Sequence, residues 1–257
     1  MNLKRLGVLA AMVAATSART AAPAAATPDL TVLCSNAFKT VFEELAPQFE
    51  RASHHQIAVR YGLAARLKEQ IDAGQPFDLA IMPAPTIDDL IKAGRLAAGS
   101  RTILAQSGLG LIVKVGAPKP DLSTADAFKR TLLGSKSIAY AKEGASGVAF
   151  AAIIQRLGIA DNLAPKTTLT ATGEAVGEAV VRGEVQYGVL PVSEILPVRG
   201  ADLGAVFPAD VQSYIVVVAA LPAGAKDPSA GRDLIRFLAA PAALPVIKAR
   251  GMERPAV

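Results

Sequence analysis

Residues 30–61 read LTVLCSNAFKTVFEELAPQFERASHHQIAVRY, and their pattern decides the fold. Leu30 to Cys34 is a short apolar run of the kind that forms a buried strand. Phe38, Val41, Phe42, Leu45 and Phe49 then recur at helical spacing, with Lys39, Glu43, Glu44 and Glu50 outside that stripe. Ile57 to Tyr61 is again β-like. The rhythm continues with a helix over Ala64 to Ala73 that Gly74 stops, a strand over Asp78 to Met82, and a helix over Thr86 to Ala93 ended by Gly94. Strand, helix, strand, helix at this spacing predicts an α/β fold whose mainly parallel sheet is covered on both faces.

A second unit of the same kind starts near Ser107. Leu109 to Val115, Ser137 to Ala141, Thr167 to Ala171, Gln186 to Val192 and Tyr214 to Leu221 read as strands. Helical patterns lie around Thr124 to Leu133, Ser146 to Leu157 and Glu174 to Arg182, and near Ser229 to Leu238 and Ala242 to Ala249 at the end. No repeat of fixed period is visible.

The chain has 257 residues, 51% hydrophobic, 19% charged and 5% aromatic, without tryptophan. Such a length supports one large core or two smaller ones. The mean hydropathy of +0.35 is raised by alanines spread along the chain. After the N-terminus no segment approaches the roughly 20 apolar residues that span a bilayer, so an integral membrane protein is excluded at this level. Lys4 and Arg5, the apolar run Leu6 to Ala15 and the small residues ending at Ala26 read as a cleaved export signal over residues 1–26. Its removal leaves a net charge of about +2. No basic stripe with interleaved aromatics is present, so nucleic acid is not an expected partner. The single cysteine, Cys34, cannot close an intramolecular disulfide, so an exported, periplasmic chain must be held by its core.

The stretch Tyr61-Gly62-Leu63-Ala64-Ala65-Arg66-Leu67, followed by Gln70-Ile71 and Pro76-Phe77-Asp78-Leu79-Ala80-Ile81, resembles the molybdate-binding branch of the type II periplasmic solute-binding superfamily. The likeness extends through Gly144-Ala145-Ser146-Gly147, Arg182 to Val189, and Leu234 to Gly251, over essentially the whole mature chain. It implies a two-lobed fold joined by crossover strands, with residues 27–106 and 215–257 in lobe 1 and 107–214 in lobe 2. It also implies a small anionic ligand in the inter-lobe cleft, delivery to the membrane subunits of an ABC importer, no cofactor or metal, and a monomer.

Open parallel sheets bind ligands beyond the carboxyl ends of their strands, where helix N-termini offer unpaired N–H groups to an anion. The loops at those ends hold Ser35, Asn36 and Ala37; Ala64, Ala65 and Arg66; Met82; and Ser146 with Gly147. Molybdate binders of the branch use two serine hydroxyls, and the matching places here carry Ala37 and Ala64. Each donor missing from a bound ion costs about 1–3 kcal/mol, so the two losses weaken molybdate by about two orders of magnitude or more. Ser35 or Asn36 is a candidate substitute for the first donor, and nothing obvious replaces the second. Arg66 is the gain, because its planar guanidinium suits a carboxylate. The same residue equally fits an outer helix face beside Glu69. Ser146 and Gly147 read either as a ligand clamp or as a helix N-cap with a permissive glycine.

Two functions follow from the resemblance. One is capture of a small anion, an oxyanion or more readily an organic di- or tricarboxylate, for an importer. The other is the reaction of the aconitate isomerases found among look-alikes of this branch, which move a proton within a tricarboxylate. For that chemistry Tyr140, Lys142 and Glu143, at a strand end facing the cleft, are the candidates. His54-His55 reads as a surface turn, and Cys34 as a buried strand residue without an activating base.

Overall fold

The computed structural model describes residues 29–255, so the leader segment 1–26 lies outside the described residues. In chain order the elements are β1 (Leu30–Ser35), α1 (Lys39–Ser53), β2 (Ile57–Gly62), α2 (Ala64–Asp72), β3 (Leu79–Pro83), α3 (Ala84–Lys92), β4 (Thr102–Lys114), α4 (Ala125–Gly134), β5 (Ile138–Ala141), α5 (Ala145–Arg156), α6 (Ala160–Leu163), β6 (Thr167–Thr170), α7 (Gly173–Arg182), β7 (Tyr187–Pro191), α8 (Val192–Ile195), β8 (Ala201–Val206), β9 (Tyr214–Ala220), α9 (Ser229–Ala239) and α10 (Leu244–Ala249).

The strands join in the order β2-β1-β3-β9-β4-β7-β5-β6, with β8 also on β4. β1 pairs in parallel with β2 and β3, which is why its apolar run is unbroken: both faces are covered. β9 is antiparallel to β3 and to β4. Strand β4 is the link between the two halves. Its residues 102–108 pair with β9, and its residues 109–114 pair with β7 and β8. β5 continues the second half in parallel with β6 and β7. This is the mixed α/β, two-lobed architecture expected from the alternation of elements.

Strand alternation distributes the core. Val32, Cys34, Leu79 and Ile81 point to a large apolar cluster that also contains Phe38, Phe42, Leu45, Leu234 and Leu238. Leu33, Ala80 and Met82 point the other way, against Leu67, Ile71, Ile87 and Leu90 of α2 and α3. In the second half Ala139 and Ala141 pack against Val176, Ala179 and Val180 of α7. None of the helices among the described residues is long and apolar enough to cross a membrane.

The short helices α6 and α8 were not expected, and two strands also differ from the sequence reading. β4 begins at Thr102, not at Leu109, because pairing with β9 holds Gln106 and Ser107 in the sheet despite their polarity. β8 was not expected at all. Its sequence, Ala201-Asp202-Leu203-Gly204-Ala205-Val206, carries little β propensity, and pairing along β4 supplies what propensity does not.

Candidate functional site

Strand β1 ends in Ser35 and turns at once into the single-turn 3-10 segment Asn36–Phe38. β2 ends in Gly62, after which Leu63 caps α2. From the other half, β5 ends at Ala141, Gly144 caps α5, and Thr172 caps α7 through its side chain. The N-termini of α2, α5 and α7 thereby converge on one narrow chamber. It is lined by Ser35, Asn36, Ala37, Gly62, Leu63 and Ala64 on one side, and by Glu143, Gly144, Ala145, Ser146, Gly173 and Glu194 on the other. Unpaired N–H groups and positive dipole ends from both halves thus face the same space.

The chamber is about 40 Å³, room for roughly three water-sized groups. That matches one carboxylate or one small oxyanion. A larger cavity of about 810 Å³ shares Asn36, Gly62, Leu63 and Glu143 with it and adds Lys39, Tyr61, Arg66, Lys142, Thr170, Thr172 and Glu174. Lys39, Arg66 and Lys142 therefore stand around an outer vestibule together with Glu143 and Glu174, and small residues line an inner seat that Glu143 and Glu194 also border.

Ser35 is 2% exposed, and its Oγ has no hydrogen-bond partner among the described residues. A buried hydroxyl left without a partner costs about 1–3 kcal/mol, and this one lines the chamber. Opposite it, Glu194 of α8 is partly exposed into the same chamber and into the adjoining cavity beside Lys39 and Glu43. Burial pushes its carboxyl up to about 7, helped by the neighbouring Glu174. Gly173 makes this possible: a Cβ there would collide with Glu194 Oε2.

The two halves meet through Lys39 and Glu174, 3.8 Å apart across the vestibule, with Lys39 Nζ also 5.6 Å from the Tyr61 ring centre. Arg66 lies on the vestibule wall and is exposed, and its Nη1 reaches Glu69 Oε2 at 2.9 Å. Arg66 is thus paired along its own helix while it fronts the cavity.

Ser35, Asn36, Ala37, Ala64 and Ser146 come together in the chamber, and Arg66, Lys142 and Glu143 at its mouth. Ala65 is exposed beside them, off the lining. Met82 does not reach the site. Alternation along β3 turns it into the apolar cluster with Ile87 and Leu90, and Pro83 lines the chamber instead. Gly147 is a packing residue, because a Cβ there would overlap the Ala141 carbonyl, and it lets α5 sit on the end of β5. Ser146 is not the N-cap of α5, which is Gly144. Tyr140 turns from the cleft to pack edge-on against Phe150 at 5.2 Å, and burial raises its phenol.

Glu194 and Lys39 are the site residues that the sequence reading did not pick out. Glu194 follows a buried strand end, and the segment Leu190-Pro191-Val192-Ser193-Glu194 stands where the resembled branch carries a Tyr-Ser-Asp segment beside the cleft, a signal that pointed to the loss of the tyrosine and not to Glu194. The thiol of Cys34 is enclosed, with its pKa pushed far up by burial, which leaves it inert. The described residues include no group of three or more His, Cys, Asp or Glu arranged to hold a metal.

Two α/β lobes joined by shared strands, with helix N-termini meeting in the cleft between them, are the architecture shared with solved solute-binding proteins. The chain belongs to the family of bacterial extracellular solute-binding proteins, which it matches over residues 30–253. It is 32% identical to an aconitate isomerase of a Pseudomonas species over 87% of each chain. It is 26% identical to a molybdate-binding protein of Azotobacter vinelandii, over 95% of this chain and 97% of the relative. The solved Azotobacter vinelandii periplasmic molybdate-binding protein superposes with a TM-score of 0.74 at 21% identity, covering 89% of this chain and all of that one.

Proposed function

We propose that the protein binds a small organic tricarboxylate of the aconitate class in its cleft and isomerises it. The observation that carries this reading is the chamber itself. Alanines stand at positions 37 and 64, where the resemblance expects hydroxyl donors to an oxyanion, and a carboxyl of raised pKa, Glu194, stands opposite. A tetrahedral oxyanion, which needs donors on all of its oxygens, meets fewer hydroxyls there than the resemblance expects, whereas a carboxylate has only two oxygens to satisfy. A tricarboxylate has one carboxylate for the inner seat and two for Lys39, Arg66 and Lys142 in the vestibule. The higher identity to an aconitate isomerase than to molybdate binders supports the same choice.

Lobes 27–106 with 215–257 and 107–214 close on the ligand in this reading, and closure is favoured because ligand contacts both. The protein works in the periplasm as a monomer after loss of residues 1–26. A second reading, capture of the anion for the membrane subunits of an ABC importer, is favoured by the family fold, which it shares with molybdate binders.

Proton NMR of the protein with cis-aconitate tests the first reading directly. Appearance of the trans isomer at a rate proportional to protein supports it. Thermal shifts with molybdate or tungstate, without any with citrate or the aconitates, discard it in favour of oxyanion capture.

A further inference from the structure

The isomerisation needs a group that can hold a proton next to an allylic carbon, and the sequence candidates do not supply it well. Tyr140 faces Phe150, and Lys142 and Glu143 are exposed at the cavity mouth. Two carboxyls line the chamber, and of these Glu143 is exposed at its rim while Glu194 is enclosed against Gly173. We propose that the Glu194 carboxylate takes and returns the proton, while the Ser35 hydroxyl donates to the substrate carboxylate seated beside it. This rests on the isomerase reading above.

The geometry supports each part. Glu194 lines the chamber on the α8 side, its carboxyl lodged against the backbone of Gly173, so it is held in place by contact. Ser35 lines the opposite side with a hydroxyl that has no partner among the described residues. The N-terminus of α5 supplies N–H groups to the same carboxylate as negative charge builds on it.

The step balances without any co-reactant. As the methylene C–H bond breaks, an O–H bond forms on Glu194, and the electron pair passes into the neighbouring C=C–carboxylate framework. Delivery of a proton to the carbon at the far end of that framework restores the Glu194 carboxylate and leaves the double bond shifted. The charged groups that face Glu194 are Glu143 across the chamber, Glu174 from α7 and, across the adjoining cavity, Lys39 and Glu43 from α1. Lys39 leans to Glu174, so no cation holds Glu194 ionised, and its raised pKa leaves it divided between both protonation states near neutrality.

The test compares wild type, Glu194→Gln, Glu194→Asp and Ser35→Ala with cis- and trans-aconitate. Glu194→Gln is expected to lower kcat by at least about 100-fold while the aconitates still raise its melting temperature. Glu194→Asp recovers part of the rate, and Ser35→Ala raises KM more than it lowers kcat. The wild-type kcat/KM should rise with pH through about 7, a measurement that needs no variant to fold. Isomerisation by Glu194→Gln within tenfold of wild type, or a flat wild-type profile from about pH 5.5 to 8.5, overturns the assignment of Glu194 alone. Wild type that binds but does not isomerise removes the isomerase reading and this inference with it.

Discussion

The backbone N–H of Ser193 donates to Ser107 Oγ at 3.1 Å, joining the crossover strand β4 to α8 at the floor of the cleft. Ser107 Oγ in turn donates to the Gly251 carbonyl at 3.0 Å, and Ser193 Oγ donates to the Ala37 carbonyl at 3.4 Å. Both serines are essentially sealed from water. Ser107→Ala leaves the buried Ser193 N–H and the half-buried Gly251 carbonyl without their partner, at a cost of about 1–3 kcal/mol. Thermal unfolding should show a Tm lower by several degrees, and Ser193→Ala, which loses only the longer bond, should lower it less.

Glu194 also makes stability depend on pH. Its folded pKa lies above the value of an unfolded glutamate, so between about 4.5 and 7 the native state holds a proton that the unfolded chain has released. Stability therefore falls as pH rises through that window and then levels. Glu194→Gln removes the penalty, which reaches at most about 3 kcal/mol. Melting curves should show the variant gaining on wild type at pH 8 and matching it near pH 4.

Glu174→Gln removes the like charge that helps to raise Glu194. The rising limb of kcat/KM should then move to lower pH, by a fraction of a unit to about one unit. A limb that stays where it is would show that burial alone sets the Glu194 value.

Arg66 and Glu69 are both well exposed, so their ion pair adds little to folding. Arg66→Ala should leave the unfolding free energy within about 0.5 kcal/mol of wild type. The same change should weaken tricarboxylate binding about tenfold, read by calorimetry, because it strips a cation from the vestibule.

Gly147→Ala drives a methyl into the Ala141 carbonyl and must lift α5 from the end of β5. About 1–3 kcal/mol of stability should be lost, together with ligand affinity, since the N-terminus of α5 moves off the chamber. Gly158→Ala, at a glycine with positive φ and open space around it, separates the two effects: it strains the backbone after α5 without touching the chamber.

The elements from β1 to α3 were legible because each announces itself locally, by an unbroken apolar run or by apolar residues at helical spacing. The loops that line the chamber were legible for the same reason, since ligands sit at strand ends. Lys39 was not. Periodicity places it outside the apolar stripe of α1, but cannot tell open water from a cleft closed by Glu174 of a distant helix. Glu194 was hidden in the same way. Its environment is assembled from Gly173, Ser35 and Asn36, whose proximity is a property of the sheet order and not of any local pattern. Met82 shows the converse error: the right strand end, but the wrong face by one residue.

Thr102 to Lys114 belongs to both sheets at once, pairing with β9 over its first half and with β7 and β8 over its second. Neither half of the molecule owns a complete set of strands. A chain divided at this point would leave each fragment with an unpaired ladder of N–H and C=O groups open to self-association. Splitting, swapping or shuffling the halves as independent modules is thereby closed to this architecture. Variation is left to the loops at the strand ends, where a change from hydroxyl to methyl or from small residue to arginine can reshape the chamber without disturbing the shared spine.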